Sequence, residues 1–146
     1  MAGYTWTPTE LVKDTGGDCD ADKSWFVPVA REWHVYSVSV KLTSTATAGD
    51  RRMCVQILNA DSDIIGEAVA GAVQAASTDW YYQFAPGVAN MTTVVDSDHM
   101  TTPIPATWVL KAGQEIRVWD YNAVAADSDD MAVYIQGAWR GHGKSS

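Results

Sequence analysis

Cysteine, positive charge and long apolar runs are all scarce in this chain of 146 residues. The only cysteines are Cys19 and Cys54. They lie far apart, with no sign of secretion, and read as free thiols rather than a bridge. Lys and Arg number 10 against 18 Asp and Glu, a formal net charge of -8. Phosphate backbones bind to basic fields, so nucleic acid is not an expected partner. No stretch approaches the roughly 20 consecutive apolar residues of a membrane-spanning helix. Met1-Ala-Gly-Tyr-Thr-Trp has neither the basic start nor the apolar run of a secretion signal, so synthesis in a cytoplasm and no membrane partner are expected.

Catalytic and metal-binding signatures are missing as well. His34, His99 and His142 have no partner at the short spacings of a zinc site. No Gly-x-Ser-x-Gly turn marks an activated serine, and no glycine-rich loop leads from a strand into a helix. Asp18, Asp20 and Asp22 alternate as at the start of a calcium loop. Lys23 then stands where that loop needs Gly, and Val29 where it needs a bidentate Glu. The triplet Asp-Ser-Asp recurs at 61–63, 96–98 and 127–129; these residues form turns by local hydrogen bonding, and turns are the expected role here. No enzyme activity, cofactor or metal is expected.

What the chain does have is period-two alternation and aromatic residues: 7 Trp and 6 Tyr. Ile116 and Val118 share one face of Gln114–Tyr121, while Arg117, Trp119 and Tyr121 share the other. Met131, Val133 and Ile135 share one face of Asp130–Gln136, with Tyr134 opposite. The polar stretch 122–129 between them predicts a hairpin, with an aliphatic side and an aromatic side. Earlier strands are expected at 33–44, with Tyr36, Val38, Val40 and Leu42 on one face, and at 51–58, with Met53, Val55 and Ile57 inward. Others are expected at 64–65, 80–84, 91–95 and 108–110, with extended stretches over 66–78 and, because of its prolines, 103–105. Pro28 makes Trp25–Val27 an edge strand or a bend. About eight short strands, no long helix and frequent turn signals predict an all-β fold, an antiparallel β-sandwich of jelly-roll type. Residues 1–23 lack a sustained period and read as an N-terminal extended arm with one short strand. Residues 24–140 then form the sandwich, and 141–146 a flexible tail.

The aromatic groups are the candidate site. Tyr4 and Trp6 are isolated anchors on the arm; Arg117, Trp119, Tyr121 and Tyr134 are the aromatic face of the hairpin. Trp, Tyr and Arg are enriched in protein interfaces. The same rings could instead stack on sugars, or line the core if the register is slipped by one residue.

Several segments together resemble small jelly-roll virion proteins of tailed bacteriophages. They are Ala48–Ile57, Ala70–Ser77, Tyr82–Gly87, Pro103–Leu110, Gly113–Asp120 and Asp129–Val133. The resemblance spans roughly residues 33–139. It implies a capsid decoration or cement protein, located in the virion, contacting the major capsid protein or other virion proteins and forming a homo-oligomer, with a trimer favoured. A carbohydrate-binding or host-attachment module is the alternative reading.

Overall fold

The computed structural model describes residues 5–17, 23–125 and 128–141. Among them are ten strands: β1 Thr7–Asp14, β2 Ser24–Phe26, β3 Arg31–Thr43, β4 Met53–Leu58, β5 Ile64–Val69, β6 Asp79–Ala85, β7 His99–Pro103, β8 Val109–Lys111, β9 Glu115–Asp120 and β10 Asp130–Gly141. They form a six-stranded sheet in the order β1-β10-β3-β6-β7, with β8 also on β3, and a four-stranded sheet in the order β2-β9-β4-β5. The antiparallel pairs are nested: β4 with β5, β3 with β6, β2 with β9, β1 with β10. A long hairpin wrapped so that successive pairs alternate between two sheets is a jelly roll. The short β7 and β8 lie between its sixth strand and β9. β7 runs parallel to β6, which loop 86–98 allows by carrying the chain back along the sheet.

The inward faces follow the alternation. Val38, Val40 and Leu42 of β3 and Met131, Val133 and Ile135 of β10 meet Met53, Val55 and Ile57 of β4 and Ile116 and Val118 of β9; all are buried. One end of the sandwich is closed by polar groups instead. Arg51 and Gln74 exchange backbone hydrogen bonds of 2.8 and 2.7 Å. The Arg51 side chain reaches Asp129, which also accepts from the Thr45 amide (2.8 Å). Gln74 donates to the Leu42 carbonyl and accepts from the Tyr82 hydroxyl, both at 2.8 Å. These contacts join three connections, 44–52, 70–78 and 121–129.

Several expectations need correction. β9 and β10 do not pair: β9 lies between β2 and β4, and β10 between β1 and β3. Alternation reports that one face of a strand is buried and is silent about its neighbour. Tyr36 faces solvent, not the core. Gln136 pairs with Ser37 and Gly137 with Val35, so Tyr36 is the extra residue of a bulge. Gly137 permits this, since an added Cβ would collide with the His34 carbonyl oxygen and press on Leu11. Residues 91–95 form no strand; only Val95 makes an isolated bridge, to His99. β-branched residues need a sheet edge to pair with, and Thr101 there gives only one bond, to the Met91 amide. Past Val69, the stretch to 78 is irregular. The boundary expected at residue 24 also moves: Thr7–Asp14 is an edge strand of the larger sheet, with Val12 buried in the core. β2 is an edge strand, one of the two readings that Pro28 allowed.

Candidate interaction surfaces

The sequence-derived site residues fall into separate places. Arg117, Trp119 and Tyr121 lie along the outer face of the smaller sheet. The Arg117 guanidinium stacks 4.1 Å from the Trp119 ring centre, and Trp119 meets Tyr121 edge to face at 5.9 Å. Tyr134 is on the outer face of the opposite sheet, because β10 belongs to that layer. Trp6 packs at one end of this same larger sheet, under the Arg140 guanidinium (4.5 Å) and against His34 (5.7 Å between ring centres). His34 Nε2 donates to the Ala106 carbonyl (2.8 Å), and Arg140 pairs with Glu32 (2.7 Å). Tyr4 lies outside the described residues, as do Asp18, Cys19, Asp20 and Asp22.

The outer face of the smaller sheet is a polar lattice rather than a bare aromatic platform. Ser24, Arg117, Gln56 and Glu67 form one row across β2, β9, β4 and β5. Arg117 Nε donates to Gln56 Oε1 (3.1 Å), and Gln56 Nε2 donates to Glu67 (2.6 Å). In the next row Trp119 stands beside Cys54. These long side chains cover Gln56 and Cys54, which point outward and are still buried. Burial pushes the Cys54 thiol up to about 12, and the Glu67 carboxylate adds to this. The nearby Trp119 indole N–H, buried with no partner of its own within hydrogen-bond distance, works in the opposite direction. The thiol is therefore neutral and poorly nucleophilic at ordinary pH.

The described members of the Asp-Ser-Asp triplets do not converge. In the β4–β5 turn, Asn59 Oδ1 accepts from the amides of Asp61 and Asp63, both at 2.9 Å. Asp98 accepts from His99 Nδ1 (2.6 Å). Asp129 holds Arg51. Among the described residues no group of three or more His, Cys, Asp or Glu is placed to hold a metal ion.

Two features escaped the sequence reading. The first is the apolar exposure at both edges of the smaller sheet. On β5, Ile64 and Ile65 are 53% and 55% exposed. A bulge at Ile65 turns both outward, and Ile65 lines a shallow depression with Trp108 and Val109. On the opposite edge, Phe26 of β2 is 64% exposed and Val29 just beyond it 89%. The second is a groove of about 610 Å3 across the outer face of the larger sheet, walled by Tyr134 and Tyr81. Outward alternation placed Ser39 and Lys41 correctly, but only the order β10-β3-β6-β7 brings them beside Tyr81, Gln83, His99 and Thr101.

No family profile matches this chain, and no curated protein sequence matches it. A chain in the structure of infectious bursal disease virus Gx strain aligns at 13% identity with a TM-score of 0.38, covering 99% of this chain and 34% of that one. The present chain thus spans about a third of that protein's length, and a likeness this slight bears on neither fold nor function.

Proposed function

We propose that this protein is a non-enzymatic structural component of a tailed-bacteriophage virion, a decoration or cement protein that stabilises the head through contacts with the major capsid protein and with its own copies. The observation that carries this reading is the pair of apolar edges on the smaller sheet. An exposed, aliphatic edge strand is an aggregation hazard in a free monomer and a template for a partner. Here Ile64 and Ile65 stand on one edge and Phe26 and Val29 on the other. Two dissimilar apolar edges suit head-to-tail contacts, which close into rings such as a trimer. The segments that resemble phage virion proteins cover parts of β4, β6, β8, β9 and β10 and the connections beside them.

The test uses two variants, Ile64→Lys with Ile65→Lys, and Phe26→Lys. Each alone should sediment as a monomer. Mixed, they retain one intact pair of edges and should form a dimer that goes no further. Wild-type protein should also co-sediment with capsids assembled from the capsid protein of the same source. A monomeric wild-type chain that leaves such capsids bare would sink the proposal.

A further inference from the structure

Independently of that reading, we infer that the groove on the larger sheet is a binding site for an acidic saccharide, a sugar ring carrying a carboxylate. Two rows of side chains cross β10, β3, β6 and β7. One is Tyr134, Ser39, Gln83 and Thr101; the other is Ala132, Lys41, Tyr81 and His99. The small Ser39 and Ala132 leave space beside Tyr134, and the resulting volume of about 610 Å3 lies within the usual ~300–1,000 Å3 of small-molecule sites.

The hydrogen-bonding groups of the floor are already oriented. Ser39 Oγ donates to Gln83 Oε1 (3.0 Å), which fixes the amide and leaves both Gln83 N–H donors for a ligand. Thr101 Oγ1 donates to the Ala89 carbonyl (2.6 Å), so its lone pairs remain, as do those of Ser39. Donors and acceptors side by side match hydroxyl groups, which need both. Tyr134 supplies the apolar ring face on which a pyranose stacks. Tyr81 cannot, because it stands between His99, stacked at 5.2 Å, and the Lys41 ammonium at 5.5 Å; it is a wall.

Charge selects the kind of sugar. The chain carries 18 acidic residues, yet none lines this groove; Asp130 and Asp79 stand one row beyond it, on either side of Thr43. Lys41 is half-buried there, with no carboxylate partner among the described residues. Asp98, near the rim, is held by His99. A partly desolvated ammonium that rests on a ring and has no carboxylate in contact favours an anionic ligand. An extended peptide is a poor fit over β10, β3 and β6, whose backbone groups are already paired within the sheet.

The experiment is an array of acidic and neutral glycans probed with the full chain, followed by calorimetry with an α-1,4-linked galacturonic acid trisaccharide and its neutral galactose counterpart. The expected result is array signal confined to carboxylate-bearing glycans. Lys41→Met, which keeps the aliphatic stem, and Tyr134→Ala should each weaken binding of the best array glycan about tenfold or more, with melting temperatures unchanged. Trp119→Ala, on the opposite sheet, should bind like wild type. Absence of any glycan signal, equal binding of neutral glycans, or full binding by Lys41→Met would overturn the inference. Loss of capsid association in Lys41→Met without any glycan binding would also overturn it and give the groove to a protein.

Discussion

Replacing Asp129 by Ala should be the most damaging single change in the polar end of the sandwich. Neither Arg51 nor Asp129 has any exposed side-chain surface. The carboxylate accepts from Arg51 Nε at 2.8 Å, Arg51 Nη2 at 3.2 Å and the Thr45 amide at 2.8 Å. Removing it leaves a guanidinium held by the Gly49 carbonyl (2.8 Å) and a distant hydroxyl, without a counter-charge. Breaking a buried pair from one side costs about 3–5 kcal/mol, which for a chain of this size lowers Tm by roughly 6–20 °C. The pair itself is worth much less than that, because both ions lost their hydration on folding. Asp129→Leu combined with Arg51→Met should therefore recover most of the loss, at the smaller cost of the freed Thr45 amide. Urea titrations of Asp129→Leu, Arg51→Met and the double variant supply the cycle. A single-variant cost below about 1 kcal/mol, or a double variant as unstable as the two losses summed, would refute the reasoning.

Gly137→Ala should cost about 1–3 kcal/mol in denaturant titrations, since the new methyl meets a carbonyl of β3 rather than a movable side chain. Val133→Ala should cost about 1–3 kcal/mol through lost burial and a cavity. Cys54 makes stability depend on alkaline pH. Its folded value of about 12 lies above the ordinary thiol value of 9.0, so between these pH values the unfolded chain has released a proton that the folded chain retains. Stability should fall as pH rises through that window, and the fall should be smaller in Cys54→Ala. Deleting residues 1–14 removes β1 and bares an edge of β10, so the shortened chain should melt earlier and aggregate rather than behave as an intact domain; differential scanning calorimetry with light scattering would show it.

Alternation in β3, β9 and β10 was legible because each buries one face, and in β4 because large apolar residues alternate with Cys54 and Gln56, so Val38, Val55, Ile116 and Val133 could be placed inward with no knowledge of partners. Partners were not legible. The polar stretch 122–129 resembles a hairpin turn by composition, yet β9 before it and β10 after it lie in different sheets, and Asp129 at its end pairs with Arg51, distant in sequence. The bulge at Tyr36 was hidden for a related reason: its cause, Gly137, lies on another strand. The candidate site suffered most. Trp119 and Tyr134 share a pattern and no surface, while the groove draws two residues from each of four strands, and only strand order brings these together.

The nested pairing also sets a timetable for synthesis. β4 and β5 are joined by a short turn and can close as soon as both have left the ribosome, since a small loop costs little entropy to close. Each further pair, β3 with β6, β2 with β9 and β1 with β10, closes around the one before, over an ever longer stretch of chain. β10 is inserted between β1 and β3. Until it emerges, the first strand has no neighbour, and β3, the longest strand of the larger sheet, keeps one side unpaired. The nascent chain therefore holds its inner pairs ready while its most exposed edge waits for the strand made last.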